Sequence, residues 1–247
     1  EGDQENLSFY PGGIAREFGL GDLIDIDFHG VQLRVTEKTE TFSMAVVETP
    51  GKIGENKAVT VNRPISLPAM TDKDKQAIEI GRCLGIRSFA LSFANTPGDV
   101  DIFRSYIGAD STLITKIESI QGIRNLDEIT ERADAVLIDR GDLSREVPIE
   151  QIPFLQRRIV SSVKARHTPV YVATNLLESM VEWHQPTRAE VNDVVSTLEL
   201  GATGLVLAAE TAIGGYPIAA VETIRRLIEH FERWTPNTSF EELLPAD

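Results

Sequence analysis

The fold of this chain is decided by two stretches, Thr112-Leu113-Ile114-Thr115-Lys116-Ile117-Glu118 and Ala135-Val136-Leu137-Ile138-Asp139-Arg140-Gly141-Asp142. In each stretch, an apolar run ends in charged residues. Apolar runs of this kind are typical of parallel strands that are buried on both faces. Because the carboxyl ends of parallel strands share one edge of a sheet, we expect the charged side chains to meet at that edge.

Strand and helix patterns alternate along the second part of the chain. Apolar runs separated by amphipathic stretches indicate a parallel sheet covered by helices, either a barrel or a doubly wound sheet. No glycine-rich phosphate fingerprint follows the first strand, and the charged residues lie at strand ends. The pattern therefore favours a TIM-barrel-type α/β domain over residues 68–247. The predicted strands are 87–93, 112–118, 135–139, 169–174 and 204–209, and the predicted helices are 97–107, 121–131, 150–166, 187–200 and 216–233.

The first part of the chain has a different pattern. Short runs rich in Val, Ile, Thr and Phe are separated by Gly, Asn and Pro, and they predict a small β domain of antiparallel strands over residues 1–67. The stretch Thr71-Asp72-Lys73-Asp74 then predicts the cap of a helix that runs to Leu84. The strands predicted in this small domain are 23–28, 31–35 and 42–47.

The composition argues against several classes of partner and function. The chain has 247 residues and a formal net charge of −14, from 38 acidic and 24 basic side chains. This charge argues against nucleic acid and against an anionic membrane as partners, because either needs a cationic surface. Cys83 is the only cysteine, which excludes an intramolecular disulfide and fits a cytoplasmic protein. No apolar stretch reaches the roughly 20 residues that span a bilayer.

Lys116 and Glu118 lie two residues apart on one predicted strand. Since a strand has a period of two residues, both side chains point to the same side. A lysine and a glutamate are tolerated there near the mouth of a barrel, where water, metal or substrate can pair them. The alternative is a buried ion pair without chemistry.

Asp142 and Gly141 follow the next strand. Neighbouring strands lie about 4.8 Å apart, so the Glu118 and Asp142 carboxylates can converge on one cation. Oxygen ligands favour Mg²⁺ or Mn²⁺ over zinc. Gly141 lets a ligand approach the backbone, whose N–H groups can hold a carboxylate. The alternative is a turn glycine followed by an aspartate that caps a helix.

Further residues lie near predicted strand ends or at a predicted helix start. Thr174 closes its strand, where a hydroxyl can orient a carboxylate, although threonine is common in strands anyway. Glu210 follows the last strand and is expected to brace the mouth. Thr187 and Glu190 form a capping box, which predicts a helix start without a functional role.

Taken in order, these motifs resemble the pyruvate kinase family. Residues 68–233 carry most of the resemblance, and residues 1–67 resemble, more faintly, the latter part of the family's small lid domain. The matching motifs are Thr115–Glu118, Asp134–Leu143, Ala173–Met180, Pro186–Val191, Glu210–Ala212 and Tyr216-Pro217.

The resemblance implies a transfer of phosphate from phosphoenolpyruvate to ADP, giving pyruvate and ATP. It implies that Lys116 stabilises the phosphoryl group and the enolate, and that Glu118 and Asp142 bind Mg²⁺ or Mn²⁺. The backbone of Gly141 and Asp142, with the Thr174 hydroxyl, would hold the substrate carboxylate. Such a reaction depends on positioning and on neutralising developing charge, which a metal and a lysine supply.

The chain also departs from the family. Three barrel strands that precede the family's lid, with an arginine for the substrate phosphate and the ligands of K⁺, have no match here. Asp139 stands where the family usually has alanine, which adds a negative charge close to the anion site. Asp27 and Lys57 align loosely with nucleotide-contacting positions. Five strands do not close an eight-stranded barrel, so we expect another segment or chain, such as a second copy in a homo-oligomer, to cover the open edge.

Three functions remain open at this point. The first, which we favour, is the pyruvate kinase reaction, with phosphoenolpyruvate, pyruvate, ADP and ATP as small-molecule partners. The second is a metal-dependent lyase or decarboxylase of a pyruvate-like acid, which would keep the lysine and the metal ligands. The third is a non-catalytic scaffold or binding module, since a fold alone does not imply a function.

Overall fold

The computed structural model describes residues 6–27, 30–55, 57–63, 65 and 67–244. The chain divides into two compact units, Glu1–Asp74 and Lys75–Asp247, whereas the sequence pattern predicts a division after residue 67. The strands of the described part are β1 Leu23–Ile26, β2 Val31–Lys38, β3 Ser43–Thr49, β4 Val59–Val61, β5 Ser88–Leu91, β6 Thr112–Ile117, β7 Ala135–Asp139, β8 Val170–Ala173 and β9 Gly204–Val206.

The helices lie mostly between the strands of the second unit. Short 3₁₀ helices cover Ile14–Arg16, Ile149–Gln151 and Glu178–Val181. The α-helices are α1 Asp72–Cys83, α2 Pro97–Ile107, α3 Ile120–Arg124, α4 Leu126–Thr130, α5 Arg140–Leu143, α6 Ile152–Lys164, α7 Arg188–Glu199, α8 Ala209–Ala212, α9 Pro217–Arg233 and α10 Phe240–Leu243.

The first unit is built on an antiparallel sheet with the strand order β3-β2-β1-β4. Alternate residues of β1 and β2 are buried, as expected for strands with one face toward a core. The predicted strand 23–28 ends at Ile26, and residue 28 lies outside the described residues. The buried core consists of Phe18, Ile24, Ile26, Val31, Leu33 and Val35.

The second unit has a parallel sheet with the strand order β5-β6-β7-β8-β9. Every residue of β7, the central strand, is buried, which confirms the continuous apolar run as a parallel strand. The register pairs Lys116 of β6 with Leu137 of β7, and Asp139 of β7 with Ala173 of β8. The predicted α/β fold of the barrel type is therefore confirmed, and its parallel strands bring their carboxyl ends to one edge.

Helices α7 and α9 cover the sheet near β8 and β9. Both helices contribute to a buried hydrophobic cluster. Helix α9 is amphipathic, as its sequence predicts, and its apolar face packs into this cluster. The predicted capping box is present at the start of α7, where Thr187 and Glu190 exchange hydrogen bonds. The cluster comprises Leu176, Leu177, Met180, Val194, Leu198, Ala220 and Ile224.

Two predicted elements were wrong in their extent. The helix predicted over 121–131 is two short helices, because Asn125 leaves helical geometry and donates its side-chain amide to the Asn95 carbonyl at 2.7 Å. The strand predicted over 204–209 ends at Val206, because the backbone of Ala208 turns before α8.

Two further strands end early at positions that matter for the site. The strand predicted over 87–93 ends at Leu91, and Phe93 turns the chain with a φ of +49°. The strand predicted over 169–174 ends at Ala173, and Thr174 follows with a φ of +70°. A positive φ is unusual for a residue with a side chain, and above all for a β-branched one. The carboxyl edge of the sheet is therefore shaped by two unusual turns.

Among the described residues, no helix is both long and apolar enough to cross a membrane.

Candidate active site

Two charged residues at the end of β6 form a largely buried ion pair. Lys116 lies within β6 and Glu118 directly follows it, so both side chains point to the same side. Lys116 Nζ lies 2.5 Å from Glu118 Oε1, and the Glu118 side chain is fully buried. The second carboxylate oxygen, Oε2, accepts a hydrogen bond of 2.6 Å from the Phe93 backbone N–H. The turn at Phe93, after β5, is thus hydrogen-bonded to the glutamate that follows β6.

Asp139, the last residue of β7, belongs to the same cluster. Its Oδ2 lies 3.2 Å from Lys116 Nζ, and the residue is only 7% exposed. Its Oδ1 accepts a long hydrogen bond of 3.5 Å from the Asp142 backbone N–H, which makes Asp139 the N-cap of α5. Asp139 therefore shares the lysine with Glu118.

Asp142 completes a group of three acidic side chains. Glu118, Asp139 and Asp142 each offer a carboxylate oxygen, and these oxygens all lie within 4.8 Å of one another. Lys116 pairs with two of the three, and Arg145 Nε, which is buried, lies 3.5 Å from Asp142 Oδ1. Two positive groups thus face three carboxylates, which leaves the site with an excess of negative charge.

The pKa values in the cluster follow from burial and charge. Burial raises the pKa of Glu118, against the opposing effect of the Lys116 ammonium. Burial, followed by the charge of Asp139, also raises the pKa of Asp142. Burial alone favours neutral Lys116, but the Glu118 and Asp139 carboxylates outweigh this effect and raise the pKa of the lysine. Lys116 is therefore stabilised as a cation, whereas the three carboxylates have too few positively charged partners.

The third group of the predicted site is Thr174, after β8. Its Oγ1 accepts a hydrogen bond of 2.8 Å from the Gly141 backbone N–H. Its single hydroxyl proton faces two acceptors, Asp139 Oδ1 at 3.2 Å and the Ala173 carbonyl oxygen at 2.6 Å. A Cβ added to Gly141 would lie 3.4 Å from both Asp139 Oδ1 and Thr174 Oγ1, so this position is closely packed.

Arg140, whose role the sequence pattern does not predict, holds the strained turn at Thr174. Its Nε and Nη2 donate to the Thr174 carbonyl oxygen at 3.1 and 2.5 Å. Its Nη1 donates to Asp193 Oδ2 of α7 at 2.6 Å and to Gln156 Oε1 of α6 at 3.3 Å. No local signal predicts this role, because Asp193 lies 53 positions away in the sequence.

Glu210 links two segments of the chain, as predicted for a residue that braces the mouth. It is 1% exposed and accepts hydrogen bonds from the backbone N–H groups of Leu177, at 3.2 Å, and Ala208, at 2.9 Å. It therefore connects the chain after β8 with the chain after β9.

The candidate nucleotide residues lie in the first unit. Lys57 Nζ and Asp27 Oδ2 form an ion pair of 2.6 Å, with side chains that are 42% and 30% exposed. Asp27 has a φ of +64°, and its backbone N–H donates to the Ala58 carbonyl oxygen at 2.9 Å. The structure thus brings the two residues together at a turn.

The carboxylate cluster fits a hard divalent cation. All its ligand atoms are carboxylate oxygens, which suit Mg²⁺ or Mn²⁺ rather than a soft metal. Glu118 Oε1 is buried, and among the described residues its partner is Lys116 Nζ at 2.5 Å. A carboxylate oxygen can accept from more than one partner, so Glu118 Oε1 has the capacity for a bound cation beside the lysine.

The fold and this site define a barrel-type α/β domain with a lysine and carboxylates at the carboxyl edge of its sheet. The family model described as "Pyruvate kinase, barrel domain" matches residues 1–221. The chain belongs to the pyruvate kinase family.

Curated relatives agree with this family. The chain is 39% identical to a pyruvate kinase of Methylorubrum extorquens over 209 residues, which are 84% of the chain and 44% of the relative. It is 35% identical to a pyruvate kinase of Thermotoga maritima over 236 residues, which are 94% of the chain and 51% of the relative. For a pyruvate kinase of Mycobacterium tuberculosis, the values are 34% over 232 residues, 92% and 49%. The chain thus spans about half the length of the curated relatives it matches.

Proposed function

We propose that this chain contributes the metal- and enolate-binding part of a pyruvate kinase active site. The reaction is the transfer of phosphate from phosphoenolpyruvate to ADP, which yields pyruvate and ATP. The proposal rests on one observation in particular, the convergence of Lys116, Glu118 and Asp142 at the carboxyl edge of the sheet. Membership in the pyruvate kinase family gives this convergence its chemical meaning.

Each residue has a role that its surroundings support. Glu118 and Asp142 hold Mg²⁺ or Mn²⁺, and the bound metal supplies positive charge to the phosphoryl group and to the enolate oxygen. Lys116 stays protonated at neutral pH, since its pKa is raised, and it stabilises the same negative charge. Gly141, Asp142 and Thr174 form the wall that faces the substrate carboxylate.

Several accompanying roles belong to the same proposal. The partly exposed pair of Asp27 and Lys57 contacts the nucleotide, ADP or ATP, and residues 1–67 make up part of a small lid-like domain. K⁺ is a further candidate cofactor, although the ligands that the family uses for it have no match in this chain. Another segment or a second copy covers the edge strands of the sheet, because exposed parallel edges leave backbone groups unpaired. The protein works in the cytoplasm.

A coupled assay of ADP phosphorylation tests the proposal. The purified protein, with the segment or second copy that covers the edge strands present, is supplied with phosphoenolpyruvate, ADP, KCl and MgCl₂, and pyruvate is measured as it forms. We expect activity that requires the divalent cation, and we expect Lys116→Met to lower kcat by about 10²–10³-fold, as for the loss of one electrostatic stabiliser.

The matched control is Lys73→Met, which removes an exposed lysine of α1. It is expected to leave kcat unchanged. Equal activity of the Lys116→Met protein and the wild type would contradict the proposal, as would turnover that is insensitive to removal of divalent cations with EDTA.

One observation favours a second candidate function. The Asp139 carboxylate lies against Lys116 and Thr174, in the region that would otherwise face the substrate. A binding module, or a lyase or decarboxylase that handles a different acid, is compatible with this arrangement. Such a protein would bind the divalent metal but would form no ATP in the coupled assay.

A further inference from the structure

The polar groups that would hold a substrate carboxylate already have partners within the chain. The Gly141 backbone N–H donates to Thr174 Oγ1 at 2.8 Å. The Asp142 backbone N–H donates to Asp139 Oδ1 at 3.5 Å, and the Thr174 hydroxyl faces the same Oδ1 at 3.2 Å. The Asp142 N–H and the Thr174 hydroxyl therefore both face Asp139 Oδ1, although the one hydroxyl proton is shared with the Ala173 carbonyl oxygen at 2.6 Å. The Gly141 N–H is bonded to the same hydroxyl.

The Asp139 carboxylate also pairs with Lys116, the cation of the site. Asp139 Oδ2 lies 3.2 Å from Lys116 Nζ, while Oδ1 faces Thr174 and Asp142. One carboxylate thus bridges the ammonium, the hydroxyl and a backbone N–H. A bound substrate needs the same groups, the hydroxyl and the N–H for its carboxylate and the ammonium for its phosphoryl group and enolate oxygen.

Asp139 is held in this position by the surrounding structure. It ends a fully buried strand and caps α5, so its backbone has little freedom. Thr174, its hydroxyl partner, is fixed by two hydrogen bonds from Arg140 to the Thr174 carbonyl oxygen. Arg140 is itself paired with Asp193 at 2.6 Å. The contact between Asp139 and Thr174 therefore joins two constrained parts of the backbone.

We propose that Asp139 is a specificity-determining residue whose carboxylate occupies the place of the substrate's carboxylate. A substrate with a carboxylate beside its reacting oxygen must compete with Asp139 for Lys116, Thr174 and the Asp142 N–H. A like charge so close to the incoming anion weakens its binding. The inference rests on the proposed function, because that proposal defines which groups face the substrate.

Oxalate and Mn²⁺ provide the test, since oxalate is a small dicarboxylate that resembles the enolate of pyruvate. Mn²⁺ binding is first measured by electron paramagnetic resonance, and oxalate binding is then measured by calorimetry at saturating Mn²⁺. We expect Asp139→Ala to bind oxalate at least about tenfold more tightly than the wild type, which corresponds to about 1.4 kcal/mol. Asp139→Asn keeps the side chain but loses the charge, so its affinity is expected to lie between the two.

Asp110→Ala, which removes an exposed carboxylate, is the matched control and is expected to bind oxalate as the wild type does. Circular dichroism verifies that each variant is folded, and Asp139→Asn serves if Asp139→Ala is not. Equal oxalate affinity in the wild type and in both Asp139 variants, with Mn²⁺ bound, would overturn the inference and leave the proposed function intact. Absence of Mn²⁺ binding in every protein would contradict the proposed function, and the inference with it.

Discussion

The carboxyl groups at the two ends of the parallel sheet have pKa values that are shifted in opposite directions. At the amino end, Asp134 Oδ2 accepts hydrogen bonds from the Leu113 backbone N–H at 2.7 Å and from Arg104 Nη2 at 2.8 Å. These partners outweigh the effect of burial and lower the pKa of Asp134. At the carboxyl end, Glu118 and Asp142 have raised pKa values.

The difference distinguishes a structural ion pair at the amino end from the proposed active site at the carboxyl end. A carboxylate with a lowered pKa is stabilised by folding in its charged form, so the amino end contributes to stability. A carboxylate with a raised pKa is destabilised in its charged form, so the carboxyl end lowers stability in the absence of a ligand. Perturbed groups of the second kind are typical of active sites, and barrel chemistry lies at the carboxyl ends of the strands.

The largest expected effect is that of losing the lysine at the carboxyl end. Lys116→Met leaves Glu118 and Asp139 without their shared cation, and we expect it to lower the free energy of unfolding by about 3–5 kcal/mol at pH 7. Urea unfolding followed by circular dichroism measures this loss. The double variant Lys116→Met with Glu118→Leu should recover part of the loss, because it no longer buries an unpaired glutamate. Additive losses would show that the two residues are not coupled.

A smaller loss is expected at the amino end. Asp134→Ala removes the acceptor of the Leu113 N–H and of Arg104, and we expect it to lower the free energy of unfolding by about 1–2 kcal/mol at pH 7. The wild type should lose this contribution as the pH falls below 3.8, the ordinary pKa, because the folded pKa is lowered. The same urea titration at pH 7 and pH 3 measures both effects. A larger loss at pH 3 than at pH 7 would contradict the assignment.

The smallest expected effect has the opposite sign. Asp142→Asn removes a carboxylate whose pKa is raised, so we expect it to increase the free energy of unfolding by about 1 kcal/mol at pH 7 without metal. The sign follows because the charged form is unfavourable above the raised pKa, and protonation relieves this as the pH falls toward 3.8. The gain over the wild type should therefore shrink on acidification. Asp110→Asn, at an exposed position, is the control and should show no such pH dependence.

The sequence predicts local features of the fold better than the contacts that complete the site. Apolar runs predict the parallel strands, since burial on both faces requires them, and the capping box at Thr187 predicts the start of α7. The convergence of charged residues follows from strand direction alone, because parallel strands place Lys116, Glu118 and Asp142 at one edge.

The remaining features depend on contacts between distant segments. The positive φ of Thr174 contradicts the local preference of a β-branched residue, and Arg140 stabilises it through the Thr174 carbonyl oxygen. Asp139 is visible in the sequence as an added charge near the predicted anion site. Its contact with both Lys116 and Thr174 depends on the packing of β6, β7 and β8, which sequence spacing does not specify.

The most direct measurement of the central claim is the shift in thermal unfolding caused by Mn²⁺. Ligand present at about 100 times its Kd adds about 2.7 kcal/mol to the stability of a protein that binds it only when folded. We predict that Mn²⁺ raises the Tm of the wild type and of the amino-end variant Asp134→Asn alike, and that Glu118→Gln loses most of this increase. An equal increase in Glu118→Gln would contradict the claim that the carboxyl edge of the sheet holds the metal.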